Sequence, residues 1–187
     1  IFRTLPNVVV MHPCDDVSTR ILTIQLPELG KPSYMRTARN KTPVLYDGRE
    51  DEIKIGKGII LKEGNDVAIV ACGVLVSESL KAAESLKAEG INATVVDMHT
   101  LKPIDCELID TIATRCGALV TAEYHNVIGC LRSDVACFLV SNTFAPLEMV
   151  GVPDRFGESG QADEMLEVMK ISAHYIALAA KKAISRK

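Results

Sequence analysis

Two guanidinium groups stand three residues apart in Met35-Arg36-Thr37-Ala38-Arg39-Asn40, and the chain then turns through Lys41-Thr42-Pro43. Arginine grips phosphate in a planar, bidentate geometry, and the end of a strand is a rigid mount for it. A solvated basic turn would use the same residue types. A second polar group lies in Asp97-Met98-His99-Thr100-Leu101-Lys102-Pro103, where His99 and Lys102 follow an apolar run. Glu123 and His125 follow another. In open α/β sheets, ligands bind beyond the carboxyl ends of strands. A Glu and a His two residues apart could work as an acid–base pair. With no Ser or Cys elbow beside them, they could equally anchor strand ends or face a neighbouring domain. Val70-Ala71-Cys72-Gly73-Val74 leads from a strand into a helix, as a nucleotide-binding turn does, and Asp97 could stand in for a ribose ligand. Only one glycine of G-x-G-x-x-G is present, so a pyrophosphate would lack its close backbone approach. Dinucleotide binding is therefore not expected. His12 falls in a turn and His174 on a helix with Lys neighbours, and neither suggests chemistry alone.

The six cysteines, Cys14, Cys72, Cys106, Cys116, Cys130 and Cys137, include no C-x-x-C pair. Paired short spacings of the kind zinc needs are missing. Most lie in apolar stretches, which suggests buried small hydrophobes in a reducing compartment. No targeting segment is visible, so the cytoplasm is the expected location. No run approaches the roughly 20 apolar residues of a membrane span. With 21 basic and 24 acidic side chains the net charge is −3, which leaves no electrostatic footprint for nucleic acid.

The elements that must position these groups follow from periodicity. The chain has 187 residues, of which 48% are hydrophobic and only 4% aromatic, a mix suited to helices packed on a sheet. Residues 1 to 46 suggest a strand (Val8 to Met11), a turn at His12-Pro13-Cys14, and a helix capped by Asp15 or Asp16. Ile21, Leu22 and Ile24 ride on that helix, Pro27 and Gly30 end it, and Pro32 to Arg36 forms a second strand. Two strands cannot bury both faces of a helix-covered sheet. Residues 47 to 65 suggest a linker with hairpin character, extended from Ile53 to Leu61. From Asp66 on, strands alternate with helices. Strands are expected at Val67 to Cys72, Ala93 to Val96, Ala118 to Ala122 and Leu147 to Gly151. Helices are expected at Ser77 to Glu89, Ile104 to Arg115, Leu131 to Asn142, Ala162 to Met169 and Ser172 to Ser185. That alternation predicts right-handed βαβ units and a doubly wound sheet. The chain begins at Ile1, already close to an apolar run, and is expected to be a piece of something longer.

Several runs resemble the transketolase family. Phe2-Arg3-Thr4-Leu5-Pro6-Asn7, His12-Pro13-Cys14-Asp15 and Tyr34-Met35-Arg36-Thr37-Ala38-Arg39 are similar to the last part of its pyrimidine-binding domain. Val96 to Asp105, Val120 to Gly129 and Val152 to Gly160 are similar to its C-terminal domain. The resemblance covers essentially the whole chain, in the right order, and points in particular to the C-terminal half-subunits of split transketolases. It implies a three-layer α/β fold with a mostly parallel sheet over residues 49–187, preceded by a remnant of the pyrimidine-binding α/β domain over residues 1–48.

The resemblance also implies an activity: transfer of a two-carbon ketol unit between sugar phosphates, with thiamine diphosphate and a divalent metal (Mg) in the assembled enzyme. The cofactor-binding residues would lie upstream of Ile1, so this chain alone would bind no cofactor and be inactive. One functional position carries over. Arg39 matches the family arginine that holds the sugar phosphate, whereas Glu123 and His125 become interface or strand-end residues. The implied partners are the missing N-terminal section or subunit and a homodimer mate. Deoxyxylulose phosphate synthase and the β subunit of 2-oxo acid dehydrogenases share the architecture. The lack of a Tyr-Pro-Arg-Gly string after Arg36, together with His99 before Thr-Leu-Lys-Pro, favours transketolase. A non-catalytic assembly module is the reading of a different class. The sequence departs from the family at Cys130 and Arg132, where glycine and a small residue are usual. It departs again at Met169-Lys170-Ile171-Ser172, which replaces an aromatic-glycine turn and leaves Ser172 to cap the last helix.

Overall fold

Val67 to Cys72 is apolar at every position because the strand it forms is covered on both sides. A computed structural model of the chain describes residues 1–129 and 131–187; Cys130 lies outside them. In it β3 (Ile59–Lys62), β4 (Val67–Ala71), β5 (Ala93–Asp97), β7 (Leu119–Asn126) and β8 (Leu147–Val152) form one sheet in the order β3-β5-β4-β7-β8. All neighbours are parallel except β3, which runs antiparallel along the edge of β5. Val67, Ile69 and Ala71 share a core with α2 (Leu75–Ala88) and α6 (Ala173–Ile184). Ala68, Val70 and Cys72 face the opposite core, with α3 (Cys106–Cys116) and α4 (Leu131–Ser141). Each Leu or Ile fully buried there contributes about 1.5–3 kcal/mol. The result is the expected three-layer α/β arrangement with a mostly parallel sheet. No helix among the described residues is long and apolar enough to cross a membrane.

The first segment builds a second, smaller sheet. β1 (Val9–Met11) pairs in parallel with β2 (Ser33–Met35), and α1 (Asp16–Gln25) connects them. Asp15 caps α1 through a reciprocal box: Ser18 N donates to Asp15 Oδ1 at 2.7 Å and Asp15 N to Ser18 Oγ at 3.1 Å. The sequence suggests only two strands here, but β1 has a second neighbour. β6 (Thr100–Lys102) lies antiparallel on its other side, so the order is β2-β1-β6. Residues 1–48 and 49–187 therefore share one hydrogen-bonded sheet.

Other departures from the sequence expectations have local causes. The extended stretch before Leu61 makes no hairpin, because β3 pairs with β5 rather than with the adjacent β4. Ser172 sits at the N-cap of α6 but its hydroxyl makes no cap bond. Glu78 of α2 takes that role, its Oε2 accepting from Ala173 N at 2.9 Å. Cys14, Cys72 and Cys116 are buried as expected, whereas Cys106 and Cys137 are exposed on helices. α5 (Ala162–Val168) lies between β8 and α6 as expected, and Arg132 is exposed on α4.

Gly73 shows how tightly the two segments meet. It turns the chain from β4 into α2 at φ +58°, and a Cβ there would stand 2.2 Å from His12 Nε2. Its N–H donates to the His12 carbonyl at 3.1 Å. Gly90 has a similar φ of +82° but open space around it. Gly90→Ala should therefore cost only the left-handed backbone penalty of about 1–2 kcal/mol. Gly73→Ala should cost at least about 2 kcal/mol more, from the clash with the buried ring. Thermal unfolding of the two variants side by side tests this, and equal losses would rule the steric contact out.

Candidate functional site

The carboxyl ends of β4, β5 and β7 meet where the strand order changes direction, the usual ligand crevice of such a sheet. In this chain that crevice is filled by the turn after β1. His12, 3% exposed, lays its ring over Gly73, and its Nδ1 stands 3.6 Å from Cys72 Sγ. Its N–H donates to the His99 carbonyl at 2.8 Å. Burial, helped by the charge of Arg36 and by His125, pushes His12 down to about 3 and keeps it neutral. His99, fully buried with Nδ1 3.0 Å from Thr100 Oγ1, is pushed down to about 4 by burial alone. The turn after β4 is thus occupied by protein, in keeping with its missing glycines.

Asp97, at the end of β5, is fully buried in the same place. The Tyr46 hydroxyl donates to its Oδ2 at 2.8 Å and the Cys14 thiol at 3.3 Å, while Oδ1 has no partner among the described residues. Burial raises its pKa to about 7, against the two hydrogen bonds that favour the carboxylate. Burial and the Asp97 charge likewise raise Cys14 and Tyr46, so both keep their protons. Asp15 adds a further tie, its Oδ2 accepting from Leu45 N at 2.8 Å and Tyr46 N at 3.2 Å. The sequence marks Asp15 as a cap and Asp97 as a possible ligand. Tyr46, completely buried, carries no signal that would have singled it out.

The other polar candidates divide between anchors and open groups. Lys102 holds the first segment, donating to the Arg3 carbonyl at 2.9 Å and the Leu5 carbonyl at 2.5 Å. Glu123, 5% exposed, accepts from Leu131 N at 2.7 Å and so satisfies the start of α4. Among the described residues no hydrogen bond joins it to His125, which does not support an acid–base pair. Both line a hollow of about 230 Å³ with Arg3, His12, Tyr34 and Arg36. Arg36 is half-buried: Nη1 donates to the Tyr124 carbonyl at 2.7 Å, and the guanidinium lies 5.6 Å from the Tyr124 ring centre.

Arg39 differs from Arg36 in every respect. It is exposed, and among the described residues no hydrogen bond or ion pair engages it. Its neighbours Thr37, Ala38 and Asn40 line a second hollow of about 630 Å³ beside the start of α1. The structure thus separates the two arginines that sequence spacing left equivalent. One is a tether and the other is open to solvent.

A three-layer α/β domain with an antiparallel edge strand, its crevice plugged by a strand-helix-strand segment, defines the class. The family described as the transketolase C-terminal domain matches residues 56–176, and the chain belongs to that family. It is 41% identical, over its whole length, to the 6-deoxy-6-sulfo-D-fructose transketolase subunit SqwH of Clostridium sp. (strain MSTE9), of which it spans 58%. It is 40% identical over 95% of its length to a putative transketolase C-terminal section of Methanocaldococcus jannaschii, spanning 56% of that protein. A solved split-gene transketolase, described as an inactive beta4 tetramer, superposes with a TM-score of 0.95 at 42% identity, over 98% of this chain and 60% of the other. The chain therefore spans little more than half the length of these relatives.

The buried carboxyl has a thermodynamic signature. Native Asp97 keeps its proton up to about 7 whereas an ordinary aspartate loses it near 3.8. The native state therefore binds more protons in that window, and this group's contribution to stability falls as pH rises through it. His12 and His99 act in the opposite sense, losing stability as pH falls below 6.5, the ordinary value for histidine. Asp97→Asn removes only the first effect. Its melting temperature relative to wild type should rise between pH 5 and pH 8, by roughly 2–4 °C for each kcal/mol involved. Melting curves across that range check it, and a pH-independent difference would refute it.

Proposed function

We propose that this chain is the C-terminal section of a thiamine diphosphate-dependent transketolase that moves two-carbon ketol units between sugar phosphates. In this reading residues 1–48 complete a pyrimidine-binding domain whose remainder lies in an N-terminal section or subunit, and residues 49–187 give structural support and a dimer surface. Arg39 is the group that meets substrate. The observation that carries this is its setting in the loop after β2: exposed, without a partner among the described residues and beside an open hollow, where Arg36 is already tied to Tyr124. A guanidinium free to turn can take a phosphate in a bidentate grip.

In this reading the cofactor is held by the N-terminal section rather than by this chain's own side chains. Among the described residues no three His, Cys, Asp or Glu side chains form a cluster able to hold a metal. The turn after β4 is filled by His12 rather than left open for a diphosphate. The diphosphate and its metal are accordingly assigned to the missing section, and this chain's part is to bind and orient the sugar. The relative described as an inactive beta4 tetramer supports the expectation that the chain alone does not turn over.

Co-expression with the upstream section, followed by assay with ribose 5-phosphate, xylulose 5-phosphate and thiamine diphosphate, should give activity that neither part shows alone. Activity of the isolated chain, or an inert reconstituted complex, would refute the proposal. Within the complex, Arg39→Ala should raise KM for phosphorylated sugars roughly 10- to 100-fold, the loss of a charge-assisted hydrogen bond. Unphosphorylated sugars should change little; an equal effect on both would make Arg39 structural.

A further inference from the structure

The segment that carries Arg39 leaves β2 after Met35 and rejoins the core at Tyr46, and both of its roots are held by residues of the 49–187 portion. At the first root, Arg36 N donates to the Met11 carbonyl at 3.0 Å, and the Arg36 guanidinium donates to the Tyr124 carbonyl at 2.7 Å and faces the Tyr124 ring. At the second, the Tyr46 hydroxyl donates to Asp97 Oδ2 at 2.8 Å, while Leu45 N and Tyr46 N donate to Asp15. The Arg49 guanidinium lies 5.9 Å from the centre of the Tyr46 ring, and Arg49 N donates to the Tyr46 carbonyl at 3.0 Å. Between the roots, residues 37–43 are exposed except for the half-buried Thr42, and they form no strand or helix.

A loop with a solvated middle takes its position from its ends. Fixing two ends also cuts the number of arrangements that the middle must give up on binding a ligand. We infer that Tyr46 and Arg36 are positioning residues for the substrate arginine, and that Asp97 and Tyr124 of the C-terminal domain set the place of Arg39. The inference rests on the reading of Arg39 given above. It assigns the C-terminal domain a specific part in sugar binding beyond its support of the assembly. The Asp97–Tyr46 bond suits this role because it is shielded from water. A buried hydrogen bond to a carboxyl group has no competing solvent, so it holds the ring more firmly than a surface contact would.

The test uses the complex with the upstream section. Tyr46→Phe removes one oxygen and keeps the ring in place. It should raise KM for phosphorylated sugars about three- to tenfold, the worth of one net hydrogen bond, with kcat nearly unchanged. In an Arg39→Ala background it should add nothing, because the effect passes through Arg39. Arg36→Lys at the other root should give the same pattern. Hydrogen exchange should quicken at the Leu45 and Tyr46 amides, which Asp15 holds, in Tyr46→Phe while β4 and β5 stay protected. Unchanged exchange at these two amides would overturn the clamp. A raised KM that persists in the Arg39→Ala background, or no rise where Arg39→Ala itself raises KM, would overturn the positioning role and leave the reading of Arg39 intact. An equal effect of Arg39→Ala on phosphorylated and unphosphorylated sugars would instead remove that reading, and the exchange at Leu45 and Tyr46 would still decide the clamp.

Discussion

A carboxyl group taken wholly out of water must be neutral or be satisfied by protein donors, and Asp97 meets this constraint with groups from two other parts of the chain. The Tyr46 hydroxyl comes from the loop after β2, and the Cys14 thiol comes from the turn after β1. Asp97 itself ends the strand beside the central β4. One buried acid thus joins the small sheet, its trailing loop and the large sheet. Neighbouring contacts depend on the same junction, including the His12 ring over Gly73 and the ladder between β1 and β6.

This junction fills much of the space at the strand ends of the large sheet. The crevice that doubly wound sheets offer to ligands is present, but His12 and Cys14 occupy it. His12 and His99 are held neutral by burial, Lys102 is bonded to backbone carbonyls, and Glu123 completes a helix start. The polar groups of the strand ends are thus largely turned toward holding the first segment or closing local structure. In the proposed reading the domain acts on substrate at one remove, through the roots of the loop that carries Arg39.

The helices and central strands were legible because they follow simple rules. β4 is apolar throughout since both its faces are covered, and α1 is announced by a capping aspartate. β6 was not legible. Thr100-Leu101-Lys102 is short, mixed in polarity and followed by proline, and becomes a strand only because β1 offers it an edge. The hairpin expected before Leu61 failed for a related reason, since partner choice between strands depends on what lies across the sheet. The cap of α6 likewise passed from the adjacent Ser172 to Glu78, a residue far away in sequence. Of the candidate site, Arg39 was legible as one of two arginines, and its partner Arg36 could not be told from it by spacing.

By itself the sequence determined the layer architecture, the order of the main elements and, through long motifs, the family. Those properties are written in local periodicity and in contiguous runs of residues. Only the tertiary structure decided which polar groups are available. Whether Arg36 or Arg39 is open, whether Asp97 faces a ligand or a tyrosine, and whether Gly73 cradles a phosphate or a histidine ring all depend on side chains brought together across long stretches of chain. Such groups meet only when burial forces every polar atom to find a partner among its new neighbours.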